Sequence, residues 1–416
     1  MRRFFATAVS IGLVVFCIAA HSSPLIIQPS QEFPYNEGGL GEGGWGGISL
    51  RGSLLFAGNS GGDQYPPVTG VVNIYRKVDD AQCSVSPCWV EESQLQRPDA
   101  VPGDDFGISI DFDGQTLVIG SPAFDMSPGT GSEIDYAAAY VFERDRDRFI
   151  FKQKLQGVPI PANPGGLSHF GLTAVLSGDR LAITQLPQFV PGSAYVFKRN
   201  ERGVWHQEAQ LQPAAITLAD QFGISVDLTR DTLISGSDTT GYATLFYRKG
   251  DDWTEGPTLR APDQAWNGGG GFGRSVTFHG DGKVAVGAYF SSDPNYVDYL
   301  GSEYLFKRDG KDWIQQTQIV DPDFAPDTGP MFGAQSKFRG GRLAIASTEG
   351  IYLYEHQDKQ WVLVAKLVLP SPEYFVLDNS PESLDLNATT VVATTITGIA
   401  IFDISALDAK PAAAAP

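Results

Sequence analysis

The 416-residue sequence is poor in cysteine (3) and histidine (5), which leaves little material for a metal centre. The histidines His169, His206, His279 and His356 stand far apart, and no two have metal-ligand spacing on one element. Positive charge is also short. Thirty Lys and Arg against 48 Asp and Glu give a net charge of −18. A field of that sign repels phosphate backbones and anionic lipid, which excludes nucleic acid as a partner. Long apolar runs are missing after Ala20, so no later segment is suited to span a bilayer.

The one apolar run, Phe4 to Ala20, follows Arg2-Arg3 and precedes Ala20-His21-Ser22. That is the pattern of an export signal over residues 1–22, cleaved near Ser22. Phe16 stands before Cys17 where a lipoprotein needs a small residue. The mature chain is therefore expected to be secreted, periplasmic or at the cell surface, and monomeric. Its basic count falls from 30 to 28 against 48 acids, and its charge to −20. Cys83 and Cys88 remain, close together around the turn-like Ser84-Val85-Ser86-Pro87, and in an exported chain are read as a disulfide. Closing so short a loop is worth roughly 2 kcal/mol. Neither a metal nor another cofactor is expected.

Glycine (47), proline (27) and aromatics at 11% fit many short strands joined by tight turns. The stretch Asp104 to Phe142 sets the pattern. Phe106-Gly107 opens an alternating run with Ile108, Ile110 and Phe112 on one side, and Asp113-Gly114 is a hairpin signal. Leu117-Val118-Ile119 is a second strand and Ala138 to Phe142 a third. The motif glycine recurs at Gly47, Gly107, Gly171, Gly223, Gly273 and Gly333, at spacings of 50 to 64 residues. Each copy ends in a fourth strand opened by an aromatic: Trp89, Phe149, Trp205, Trp253, Trp313 or Trp361. Four strands per repeat predict an all-β, seven-bladed β-propeller over residues 23–404, with blades starting near 46, 106, 170, 222, 272, 332 and 383.

The seventh copy, Ser383 to Phe402, has only three strands, and residues 405–416 are an Ala/Pro-rich tail expected to be disordered. Leu25-Ile26-Ile27-Gln28-Pro29 precedes the first blade and resembles the end of a fourth strand. It is expected to complete the seventh blade and close the ring.

Phe-Gly-x-Ser, then Leu-Val-x-Gly-Ser-Pro, then Ala-Tyr-Val-Phe resembles the FG-GAP repeat, which builds the seven-bladed propeller of integrin α-subunits and of many exported bacterial proteins. The resemblance runs over nearly all of the mature chain and implies binding or adhesion on one face of the disc. Several family repeats carry a calcium loop between the first two strands. The corresponding turns, such as Asp113-Gly114 and Arg339-Gly340-Gly341, lack the run of spaced oxygen ligands it needs, so calcium is not carried over.

Gly58-Asn59-Ser60-Gly61-Gly62 matches the nucleophile-elbow pattern, but Pro66-Pro67 follows where a helix is required. The glycine-rich stretch from Gly39 to Gly44 precedes a strand instead of opening a helix, so it is no phosphate loop. The loops between second and third strands are better candidates. Three are long, Asn59 to Thr69, Ser121 to Tyr136 and Tyr289 to Leu300. They carry the candidate binding residues Asp63, Tyr65, Asp125, Asp135, Tyr136, Asp293, Tyr296 and Tyr299. Aromatics beside carboxylates suit a carbohydrate or a protein ligand. The leading expectation is an exported, non-catalytic binding or adhesion module. The alternative is a polysaccharide hydrolase or lyase with a carboxylate pair at the channel mouth, drawn from acids at the blade entries such as Asp104, Asp105, Asp220 and Asp327.

Overall fold

The computed structural model describes residues 24–34, 46–60, 69–80, 83–84, 87–123, 137–157, 168–187, 190–261, 269–280, 282–290, 301–323, 331–369, 382–395 and 398–408. They form seven sheets. The inner strands run Ile48–Arg51, Ile110–Phe112, Phe170–Ser177, Ser225–Leu228, Phe272–Phe278, Gln335–Arg339 and Leu384–Leu386. Consecutive inner strands adjoin, and the seventh adjoins the first, so the sheets make a closed seven-bladed ring. Among the described residues no helix is long and apolar enough to cross a membrane.

The core lies between blades. One apolar cluster joins Leu54, Phe56, Val72 and Ile74 of blade one to Phe106, Ile110, Phe112 and Tyr140 of blade two. Equivalent clusters fill the other junctions. The repeat phenylalanines Phe106, Phe170, Phe222, Phe272 and Phe332 are completely buried. Each burial is worth about 2–3 kcal/mol. Ile108 does not share a face with Ile110 and Phe112, as strict alternation required. Gly107 has φ 109°, which turns the chain before the strand begins at Ile110. Ile108 then packs with Leu172 and Ile224 in a separate cluster.

An N-terminal strand closes the ring by completing blade seven, as expected, but it lies after the segment Leu25 to Pro29 named for it. Gln31–Pro34 pairs antiparallel with Gly398–Asp403 and completes blade seven. Leu25–Ile27 instead runs parallel to Ala365–Leu367 and adds a fifth strand to blade six. The segment 25–34 is thus a strap across the outer edges of two blades. At the other terminus, Ser405–Asp408 forms a 3-10 turn where a disordered tail was expected to begin. Leu407 packs on the last core cluster and Asp408 accepts a hydrogen bond from Arg342 at 2.6 Å, which holds the turn down. Cys83 and Cys88 are joined in a disulfide.

Candidate functional site

The repeat motif first explains how blades are joined. Ser109 Oγ donates to the carbonyl of Gly171 on the next blade at 2.9 Å, Ser225 to Gly273 at 2.7 Å and Ser275 to Gly333 at 3.1 Å. The second-strand glycines make room for this. A Cβ on Gly120, Gly236 or Gly287 would lie 1.9–2.0 Å from that same carbonyl of the neighbouring blade. The Phe-Gly-x-Ser signature therefore encodes an inter-blade staple.

A second ring lies in the channel. Strand register makes Ser49, Asp111, Val175, Asp227, Thr277, Lys337 and Asp385 equivalent. Five of these carry a side-chain oxygen, and each accepts the backbone N–H of the following blade. The donors are Phe112 to Ser49, Leu176 to Asp111, Phe278 to Asp227, Phe338 to Thr277 and Leu50 to Asp385, at 2.6–3.3 Å. Val175 and Lys337 cannot accept. After each of them the next blade's N–H, on Leu228 or Leu386, turns to its own preceding aspartate at 2.7 or 2.8 Å. Burial pushes the Asp111 and Asp227 carboxyls above the usual carboxylate range, against the pull of Lys337. Burial alone would depress Lys337, but Asp385, Asp111 and Glu382 around it raise it.

Glu382 spans the channel just before the seventh inner strand. Its carboxylate accepts N–H groups of Ile110 at 2.8 Å and Ala174 at 3.3 Å, and its carbonyl that of Ile48 at 2.8 Å. One residue thus ties blades one, two and three to blade seven, and burial pushes its carboxyl up to about 8. The cavity here measures about 30 Å³ and is lined by Thr173, Ser225, Asp227, Ser336, Lys337 and Glu382. That is room for no more than a few waters. None of these channel groups was singled out from sequence. The readable signal was an aspartate between apolar residues in three inner strands (Ile110-Asp111-Phe112, Val226-Asp227-Leu228, Leu384-Asp385-Leu386), where strand preference disfavours it.

The third assembly is at the face where second-to-third-strand loops and blade-to-blade connections meet. Asp104, fully buried, accepts N–H groups of Gly70 at 2.9 Å, Val101 at 3.1 Å and Phe106 at 3.2 Å. Arg97 lies 3.9 Å from Asp104 and donates to Ser121 Oγ at 2.9 Å, and Ser121 donates to the Asp104 carbonyl. Gly70 ends the long loop of blade one and Ser121 begins that of blade two. Their roots are held by one buried ion pair. Beside it, Asp99 takes hydrogen bonds from Arg97, Lys154 and Tyr140, which outweigh its partial burial and hold its carboxyl well below the usual range. Blade six repeats part of this, with Asp323 held by Lys366 at 2.6 Å and Tyr352 at 3.1 Å.

The eight candidate binding residues, Asp63, Tyr65, Asp125, Asp135, Tyr136, Asp293, Tyr296 and Tyr299, lie outside the described residues, as does Asp327. Of the other acids named for a catalytic pair, Asp104 caps its turn as above. Asp220 accepts from the Thr217 amide and hydroxyl and from Thr240. His279 of blade five and His356 of blade six both pack on Trp361, at 5.1 and 5.4 Å. Burial lowers the His169 pKa to about 4, against the upward pull of its hydrogen bond with the Leu186 carbonyl at 2.9 Å. Among the described residues no three His, Cys, Asp or Glu side chains are grouped to hold a metal ion.

Comparison with known proteins agrees with this architecture. Residues 89–142 match the model of the FG-GAP repeat. No curated protein sequence matches the chain. Among solved structures, U3-55K is similar over 86% of this chain and 95% of its own, at 10% identity and a TM-score of 0.52. The N-terminal domain of Nup159 is similar over 87% and 90%, at 13% identity and a TM-score of 0.48. The WD40 domain of Toxoplasma gondii coronin is similar over 86% and 79%, at 10% identity and a TM-score of 0.47. At 10% identity the likeness to U3-55K concerns the fold alone.

Proposed function

We propose that this seven-bladed β-propeller, which matches the FG-GAP repeat over residues 89–142, is an exported, non-catalytic binding module that engages a protein or glycan through its long-loop face. The observation that carries this reading is the Arg97–Asp104 node, which anchors Gly70 and Ser121, the roots of two long loops on neighbouring blades. Binding loops presented from a rigid scaffold lose less entropy on capture. The loop sequences between those roots, with Asp63, Tyr65, Asp125, Asp135 and Tyr136, offer aromatic faces beside carboxylates. Asp293, Tyr296 and Tyr299 add the same chemistry from blade five. The channel supports the non-catalytic side of the reading. Asp111, Asp227, Asp385 and Glu382 already accept backbone N–H groups, and the cavity beside them is about 30 Å³.

Export rests on the leader-like residues 1–22 and fits the disulfide at Cys83–Cys88. The test pairs a glycan array with a pull-down from extracellular material. Both are run on the protein and on a variant with short turns in place of 61–68, 124–136 and 291–300. Capture by the protein and loss in the variant supports the reading, and capture that persists in the variant overturns it.

A further inference from the structure

At the junction of blades seven and one the strap is gripped by a side-chain amide. Gln31 Nε2 donates to the carbonyl of Trp89 and its Oε1 accepts the Trp89 N–H, both at 2.8 Å. The same clasp joins blades two and three, where Gln153 takes the carbonyl and N–H of Trp205 at 2.8 and 2.9 Å. The two hairpins that present these tryptophans differ. Between Arg199 and Trp205 the turn is tight. Asn200 Oδ1 accepts the Arg202 and Val204 amides, and the backbone bonds of Asn200 close it. Between Val78 and Cys88 the connection is longer, and the Cys83–Cys88 disulfide closes it immediately before Trp89. The bond does for Trp89 what Asn200 does for Trp205.

Both cysteines are partly exposed. Cys83 and Cys88 are half-buried and line a cavity of about 270 Å³ between the strap, blade seven and this hairpin. Lys77 and Asp403 line it too.

We propose that Cys83–Cys88 is a thiol–disulfide exchange site that sets how tightly the strap closes the ring. The substrate class is a dithiol. Its thiolate attacks one cysteine sulfur, the S–S bond breaks, and the other cysteine leaves as thiolate and takes a proton. The dithiol's second thiol then displaces the mixed disulfide. Two electrons and two protons pass to Cys83 and Cys88, and the dithiol becomes a cyclic disulfide. With the bond open the end of the hairpin is held by the pairing of Val78 with Cys88 and Lys77 with Trp89 alone, and Gln31 grips a looser partner. The effect is confined to the strap, because the channel ring and the serine staples do not involve this hairpin.

Dithiothreitol under native conditions, followed by alkylation mapping and amide exchange, tests the proposal. Both cysteines are expected to be alkylated in the folded protein. Amides of Gln31 to Phe33 should then exchange about tenfold faster while those of Arg180 to Gln185 hold their rate, with recovery on reoxidation. Gln31→Ala should give the same acceleration with the disulfide intact. Cysteines that resist native alkylation, labelling without faster strap exchange, an equal acceleration in blade three, or a Gln31→Ala strap that exchanges at the original rate would each overturn it.

Discussion

The junction of blades two and three and the junction of blades seven and one share two fastenings and differ in a third. Both have the inner aspartate staple, Asp111 to Leu176 and Asp385 to Leu50. Both have the outer glutamine clasp, Gln153 on Trp205 and Gln31 on Trp89. Between these, blade two has Ser109 on the Gly171 carbonyl, whereas Ser383 at the seam is buried with no partner for its hydroxyl. The second-strand glycine is also replaced there, by Thr394. The seam makes up the loss with parts that blade two lacks. Arg339 donates to Asp385 at 2.9 Å, the Glu382 carbonyl accepts the Ile48 N–H at 2.8 Å, and Ser30 donates twice to the Ile401 carbonyl. A junction formed between the two ends of a chain cannot rely on covalent continuity. Here it is held by longer-reaching side chains than a junction inside the chain.

The largest effect should come from cutting the seam itself. Deleting 24–34 leaves blade seven with three strands and uncovers its apolar cluster. The melting temperature is expected to fall by about 10 °C or more, where a deletion confined to 409–416 leaves it unchanged. Next is a junction with a different defect, that of blades five and six. Glu303 is completely buried where the equivalent residues of the other blades are Val72, Ala139, Ala194, Ala243, Ile351 and Ile399. Ser336 donates to one of its oxygens at 2.8 Å and the other has no partner. Burial pushes its carboxyl from 4.5 up to about 8. Between those values the unfolded chain has released the proton and the folded chain keeps it, so stability falls as pH rises through that window. The loss from this group totals about 5 kcal/mol and levels off above the folded value. Denaturant titrations of Glu303→Gln across the window should lack that share of the slope.

Smaller effects sharpen the comparison directly. Asp385→Ala strands the Leu50 N–H and Arg339 together and should cost about 3–5 kcal/mol. Asp111→Ala strands Leu176 alone, since Ser49 still serves Phe112, and should cost about 1–3 kcal/mol. Equal losses in urea unfolding would mean the two junctions are fastened alike. Smallest is the serine pair. Ser109→Ala removes a made staple and should cost about 1 kcal/mol, while Ser383→Ala removes an unmade one and should stay within about 0.5 kcal/mol.

Blades two to six were legible in the sequence because each repeats the same buried phenylalanine and the same positive-φ glycine. Repetition made the local pattern audible. Cys83–Cys88 was legible from the spacing of the pair and its turn-like intervening residues. The closing strand was not. Leu25-Ile26-Ile27 has the stronger strand character, and Gln31-Glu32-Phe33-Pro34 is half polar and ends in proline. Pro34 is tolerated because it sits at the end of an outer strand, and Gln31 earns its place through a contact with blade one that no local pattern reveals. The channel ring stayed hidden for the same reason. Asp111 and Asp227 serve amides on the following blade, so their role exists only once the ring is closed. The loop residues from Asp63 to Tyr299 were chosen for their chemistry and for not repeating, and they lie outside the described residues.

The separation of scaffold from binding face is tested most directly by measuring melting temperature and ligand capture together on two variants. With loops 61–68, 124–136 and 291–300 replaced by short turns, capture should disappear at an unchanged melting temperature. With Asp385→Ala the melting temperature should fall while capture, measured well below it, is retained. Capture that survives loop replacement, or is lost from a fully folded Asp385→Ala protein, would contradict the account.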